Sequence, residues 1–148
     1  MVITQTRTAL VTRASSGIGE ATARRLHGAG LTVFAAARRT DRMQSLADAG
    51  IHTVSLDVND EASVKACVGE AVRKSGRIDV LVNNAGYGSY GAIEDDPMDE
   101  ARRQFEVNVF GAMRMTQLVL SSMRKRRSGT MVSISSIGGR MAGPLGGW

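Results

Sequence analysis

With 148 residues, 43% of them hydrophobic and 22% charged, the chain has the size and balance of one globular domain with a real core. No apolar run nears the roughly 20 residues that span a bilayer, and Met1–Arg7 lacks a basic region followed by an apolar segment, so a cytoplasmic protein without membrane association is expected. The formal charge of +5 invites a nucleic-acid reading, but six basic residues and no acidic ones lie beyond Val107, so the first 107 residues are slightly acidic.

Ala9-Leu10-Val11 reads as a short buried strand. It leads through Thr12-Arg13-Ala14-Ser15-Ser16-Gly17-Ile18-Gly19 into a helix with Ile18, Thr22, Arg25, Leu26 and Ala29 on one side. A strand, a glycine-bearing turn and a helix together make an anion-binding arrangement. The first free N–H groups of the helix and its positive dipole end face whatever lies beyond the strand, and glycine lets a diphosphate approach the backbone. Gly30 stops the helix, and Leu31–Ala37 forms a second buried strand at the spacing of a parallel βαβ unit. Arg38 and Arg39 follow it directly. In a dinucleotide-binding fold an acidic residue at that point accepts from the ribose 2′-hydroxyl of NAD, whereas arginine pairs with the 2′-phosphate of NADP. The sequence therefore favours NADP(H) over NAD(H), the plain alternative being solvated loop charges.

A short helix over 41–49 ends at Gly50, and a third strand spans Ile51–Leu56. Asp57-Val58 follows, and Asp60 caps a helix to Ser75 with Val64, Cys67, Val68, Ala71 and Val72 inward. Cys67, the single cysteine, is a small core residue there, and His27 and His52 have no companions at ligand spacing, so no metal is expected. A fourth strand, Ile78–Val82, runs into Asn83-Asn84-Ala85-Gly86. Asparagines at a strand end bond neighbouring backbone, and alanine and glycine leave room for a ribose above the sheet's carboxyl edge. Tyr87–Met98 reads as a loop over the pocket, with Tyr87 and Tyr90 as candidate lining.

Asp99–Arg126 reads as one long amphipathic helix with Phe105, Val109, Ala112, Thr116, Val119, Leu120 and Met123 inward and Asn108 interrupting beside that stripe. Arg124–Arg127 closes it, where cations complement the negative dipole end; no aromatic residues interleave as in a nucleic-acid surface. Thr130–Ile134 is a fifth strand ending at Ser135-Ser136. Residues 138–148, with five glycines and a proline, read as a glycine-rich loop or disordered tail.

Three motifs in this order carry a family resemblance. Thr12 to Gly19 resembles the Thr-Gly-x-x-x-Gly-x-Gly turn of the short-chain dehydrogenase/reductase family, Asn83-Asn84-Ala85-Gly86 matches its Asn-Asn-Ala-Gly, and Ile134-Ser135-Ser136 stands where its catalytic serine is expected. The resemblance implies a Rossmann-like doubly wound parallel sheet in three α/β/α layers, strand order 3-2-1-4-5, forming a single incomplete NAD(P)-binding domain over 1–148, truncated after the fifth strand. It implies hydride transfer between the cofactor and a small alcohol or carbonyl substrate. It implies Ser136 and Asn108 as catalytic residues, Asn108 through a relay water; the alternative for Asn108 is an amide bonded to nearby backbone. It implies cofactor contacts from Thr12, Arg13, Ser15, Ser16, Gly17, Ile18, Gly19, Arg38, Arg39, Asp57, Val58, Asn83, Ala85 and Gly86. Asp57 is also readable as a plain turn residue. Homo-oligomers through the helix 99–126 are implied as well.

Two departures bear on function. The family's Tyr-x-x-x-Lys pair is absent: the only tyrosines are Tyr87 and Tyr90, the lysines are Lys65, Lys74 and Lys125, and only twelve residues follow Ser136. A tyrosine is expected about a dozen residues after that serine, so the chain as it stands is expected to be inactive, at a cost on the order of 10²- to 10⁴-fold from lost acid/base assistance alone. Arg13 replaces the family's first glycine, where close approach and positive φ favour no side chain, so weakened cofactor binding is expected. Two other readings follow from the same residues: a non-catalytic dinucleotide-binding module, and, less in keeping with the charge distribution, a basic nucleic-acid-binding protein.

Overall fold

Side-chain alternation along the strands decides the layering of the computed structural model, which describes residues 6–141 and 143–145. On β1 (Thr8–Thr12), Leu10 points to one face of the sheet and Ala9 and Val11 to the other, all fully buried. The same division runs through β2 (Thr32–Ala37) and β4 (Val80–Asn83), whereas β3 (His52–Ser55) buries only Val54. One core joins Leu10, Phe34, Val54 and Leu81 to α3 (Glu61–Ser75) and α5 (Ala112–Arg126). The other joins Ala9, Val11, Val33 and Val82 to α1 (Gly17–Gly28) and α2 (Gln44–Asp48). Strands buried on both faces are continuous apolar runs, which is why the strands were legible as such.

All strand pairs are parallel, and β5 (Thr130–Ser133) completes the order β3-β2-β1-β4-β5. This is the expected doubly wound α/β/α arrangement. β5 pairs with β4 alone, and its residues are exposed along their whole length. The register Leu10↔Phe34 and Leu10↔Leu81 centres the core on β1.

Asp60 caps α3 as expected, its carboxylate accepting from the Ala62 N–H at 2.9 Å. Val64, Cys67, Val68 and Ala71 are buried, but Val72 lies 40% exposed. On α1 only Leu26 of the expected stripe packs on the core, beside Gly19 and Ala23: Ile18 is 62% exposed, and Arg25 and Ala29 face solvent. The described part of the 138–148 segment includes a 3₁₀ turn, Ile137–Gly139, and the Leu145 carbonyl accepts from the Gly91 N–H at 2.9 Å; Ala142 and Gly146–Trp148 lie outside the described residues.

The long helix is not continuous. α4 (Met98–Phe105) passes into a π turn, Glu106–Gly111, before α5 begins. The wider turn resets which residues face the sheet, so the expected stripe holds only after it: Val119 and Met123 are buried and Ala112, Thr116 and Leu120 half-buried, with Met115 buried as well, whereas Phe105 and Val109 are exposed. Gly111 makes the crossing possible by packing on the β3–α3 loop, where a Cβ would stand 2.8 Å from the Val58 side chain.

Gly111→Ala is therefore expected to lower stability by about 1–2 kcal/mol, overpacking of about 1–3 kcal/mol outweighing a helix-propensity gain of at most about 1. A urea titration would show it, and Val58→Ala in the same chain, which removes Cγ2 but keeps the Cβ that also stands 2.8 Å away, should recover only part of the loss. Burial pushes the Cys67 thiol up to about 12, so thiol reagents at mildly alkaline pH should label it only as fast as the chain opens.

Candidate functional site

The carboxyl ends of β1 and β4 are joined by one hydroxyl. Thr12 Oγ1 accepts from the backbone N–H groups of Asn84 and Ala85, both at 2.9 Å, and donates to the Val82 carbonyl at 3.3 Å. Asn84 returns the contact, its Nδ2 donating to the Thr12 carbonyl at 3.1 Å. The first turn of α1 sits hard against this junction: a Cβ on Gly19 would collide with the Arg13 carbonyl and come within 2.6 Å of Asn84 Nδ2. Gly17 has φ +58° and needs glycine for that reason. Ser16, the N-cap of α1, makes no side-chain cap, so the first N–H groups of the helix are not used up by it.

Beside the junction lies a cavity of about 410 Å³. Its walls come from the ends of four strands: Arg13, Ser15 and Ser16 after β1, Arg38 and Arg39 after β2, Leu56 to Asn59 after β3, and Ala85 to Tyr87 after β4. Glu100 and Arg103 of α4 and Val107 of the π turn close it. Nine of the expected contacts are thus brought together: Arg13, Ser15, Ser16, Arg38, Arg39, Asp57, Val58, Ala85 and Gly86. Asp57 also does turn work, its Oδ1 accepting from the Asn59 N–H at 3.0 Å while its own N–H donates to Ser63 Oγ at 2.9 Å.

Several expected residues stand elsewhere. Thr12 is 1% exposed and serves the junction, and Gly17, Ile18 and Gly19 form the turn of α1 beside the cavity without walling it. Asn83 does not wall the cavity: it is buried, and its Nδ2 donates to Thr116 Oγ1 of α5 at 3.0 Å. Asn84, its neighbour, is the asparagine that holds the turn. Arg13 keeps the backbone that its glycine counterpart would have, with φ +51°, and its guanidinium donates to the Gly86 carbonyl across the gap between β1 and β4.

Asn108 lies in the π turn, exposed, with its amide spread over one residue: Oδ1 accepts from the Tyr87 N–H at 3.0 Å and Nδ2 donates to the Tyr87 carbonyl at 2.7 Å. An oxygen with two lone pairs has one left over. Gly86 lets it approach, since a Cβ there would meet Asn108 Oδ1 at 3.2 Å. Ser136 follows β5 and caps the 3₁₀ turn, its Oγ accepting from the Gly138 N–H at 3.1 Å, which leaves its own proton free to donate.

The sequence did not mark Glu100 and Arg103, both of which wall the cavity. Tyr87 O–H donates to Glu100 Oε1 at 2.8 Å, and Arg103 stands 3.5 Å from the same carboxylate. Partial burial first, then the Glu100 hydrogen bond and charge, hold the Tyr87 phenol above its ordinary range. Tyr90, the other candidate lining residue, is 85% exposed.

The fold is shared with known proteins. The sequence matches the family described as short chain dehydrogenase over residues 7–147. The chain belongs to that family. It is 40% identical over 139 residues to the 3-ketodihydrosphingosine reductase of Bacteroides thetaiotaomicron, covering 94% of this chain and 50% of that protein. A short-chain dehydrogenase from Streptomyces avermitilis superposes with TM-score 0.90 at 41% identity, covering 95% of this chain and 53% of that one. A variant of actinorhodin polyketide ketoreductase crystallised with NADPH gives TM-score 0.89 at 36% identity, covering 95% and 57%. The chain spans about half the length of the curated relatives it matches. Among the described residues no helix is long and apolar enough to cross a membrane, and no three His, Cys, Asp or Glu side chains form a metal-binding group.

Glu100→Gln should bring the Tyr87 phenol down toward its ordinary range. Phenolate absorbance titrated in a Tyr90→Phe background isolates that group; an unmoved titration would mean that burial alone holds it.

Proposed function

We propose that this short-chain dehydrogenase chain binds NADP(H) in the cavity at the strand ends, to serve hydride transfer between the nicotinamide and the carbon of a small alcohol or carbonyl substrate. The observation that carries the reading is the pair Arg38 and Arg39, adjacent at the end of β2 and both in the cavity wall. Arginine there supplies charge-assisted donors to a 2′-phosphate, whereas NAD calls for a carboxylate. The donor set fits an anionic dinucleotide in two further ways. The first turn of α1 has no side-chain cap, so its N–H groups are open to a diphosphate. Gly19 permits the close packing of that turn on the strand end. Asp57 and Val58 then face the adenine side, and Ala85 and Gly86 leave space for ribose.

The dinucleotide would supply the hydride. The chain's own contribution is orientation and charge stabilisation. Ser136 donates its hydroxyl proton to the substrate oxygen as charge develops there, and the Gly138 N–H on its Oγ strengthens it as a donor. Asn108 holds the Tyr87 backbone and offers its remaining Oδ1 lone pair to a water. Neither tyrosine of this chain replaces the family's proton donor: the Tyr87 proton is held by Glu100, and Tyr90 lies out in solvent. Residues 1–148 on their own therefore bind cofactor as a single incomplete domain and do not turn substrate over. The face of α4 and the π turn carrying Phe105, Val109 and Phe110, exposed here, is the surface on which a second copy packs.

Titration of the chain with NADPH and NADH tests the cofactor. NADPH should bind more tightly, and Arg38→Ala with Arg39→Ala should reduce that preference by about tenfold to a hundredfold, the worth of one charge-assisted contact of about 1.5–3 kcal/mol. Equal affinity for both cofactors in the unaltered chain would overturn the reading.

A further inference from the structure

The cavity and the serine stand on opposite sides of one contact. In the order β3-β2-β1-β4-β5 the strand sequence reverses direction between β1 and β4, and a ligand spanning an open α/β sheet crosses there. Arg13 bridges that crossing, its side chain running from the end of β1 to the Gly86 carbonyl after β4. Both residues are cavity walls, and the rest of the wall lies mainly on the β3-β2-β1 side and on α4. Ser136, at the end of β5, contributes nothing to it.

We propose that Arg13 divides the crevice, leaving a chamber that takes adenosine nucleotides bearing phosphates and lacks any need for the nicotinamide half. The inference rests on the NADP(H) reading above. The chamber has what a phosphorylated adenosine requires: Arg38 and Arg39 for a 2′-phosphate, Asp57 beside Val58 for the ring, and Ser15 and Ser16 ahead of α1 for the 5′-phosphate. A full dinucleotide must displace the guanidinium from Gly86 to pass toward Ser136, so the nicotinamide half adds cost before it adds contacts. Arg13 has a left-handed backbone, φ +51°, at the end of β1, and its guanidinium is held by the Gly86 carbonyl. Arg13 is accordingly a specificity-determining residue, setting how the site ranks a whole dinucleotide against its adenosine end.

Calorimetric titration of the full chain with adenosine 2′,5′-bisphosphate, adenosine 5′-diphosphate and NADP⁺ tests this, on the unaltered protein and on Arg13→Gly and Arg13→Ala. Arg13→Gly removes both bridge and backbone strain; Arg13→Ala removes the bridge and keeps the strain, so the pair separates the two. The unaltered chain should bind the bisphosphate at least as tightly as NADP⁺, and both variants should shift the ratio of the two affinities by about tenfold toward NADP⁺. A chain that prefers NADP⁺ to the bisphosphate, a ratio that neither variant moves, or no binding of the bisphosphate would each overturn the proposal. Adenosine 5′-diphosphate binding as well as the bisphosphate would sink the NADP(H) reading instead. The ratio of NAD⁺ to adenosine 5′-diphosphate, measured on the same three proteins, would then decide the bridge, a shift in the variants supporting it and no shift overturning it.

Discussion

The hydroxyl of Thr12 is the contact on which the site depends. A parallel sheet that reverses its winding between β1 and β4 leaves a crevice there, with backbone groups on both sides in need of partners. Thr12 Oγ1 takes up two of those N–H groups and one carbonyl, and Asn84 fastens the other direction. Residues 84–87 consequently leave β4 along a fixed path, and Ala85 and Gly86 become cavity wall. A β-branched residue with one polar atom, buried at a strand end, suits this role because its χ1 has little freedom to lose. The same junction receives the turn into α1, whose Gly19 tolerates no side chain against Arg13 and Asn84. The anion-binding turn and the ribose side of the site are thus held by one network.

From that junction the constraint passes to the π turn. Asn108 grips both backbone groups of Tyr87, and Arg114 reaches back from α5 to the Val58 carbonyl at 3.3 Å while pairing with Glu106. Gly111 packs directly on Val58. The π turn therefore touches the loop after β3 and the loop after β4 at once. A regular helix through Glu106–Gly111 would rotate Asn108, Gly111 and Arg114 relative to one another, and these three contacts would not coexist. This is a structural reason for an irregular turn at a position where regular helix is cheaper.

The sheet and its order were legible because a strand buried on two faces writes itself as an apolar run, and glycines mark the stops at Gly30, Gly50 and Gly76. Most of the cavity was legible too, since the motif residues lie at strand ends, where topology brings them together. What failed were inferences about orientation. Asn83 and Asn84 are adjacent and identical in type, yet strand alternation sends the first under the sheet to Thr116 and leaves the second to bind the β1 turn. The α4–α5 stripe failed at Phe105 and Val109 because one π turn has no compositional mark beyond an asparagine and a glycine. Glu100 and Arg103 were hidden for another reason: charge pairs on a helix face look alike whether they meet water or a cavity.

Arg13 shows how far a local rule can be broken before the fold gives way. Its backbone lies in the left-handed region, where a side chain costs about 1 kcal/mol or more. That cost is small against the burial of a central strand, so the sheet keeps its geometry and the strain is absorbed in the turn. The consequence is carried by the side chain instead, which finds the nearest carbonyl across the crevice. The two ends of the site are also unequally supported. Strands β1, β2 and β4 bury residues in cores on both faces of the sheet, whereas Met131, Val132 and Ile134 at the serine end are each about two-fifths exposed. Precise placement of a reacting group requires packing on every side of it. The adenosine end has that packing from residues of this chain alone, and Ser136 does not, so nucleotide binding and serine chemistry place different demands on the same sheet edge.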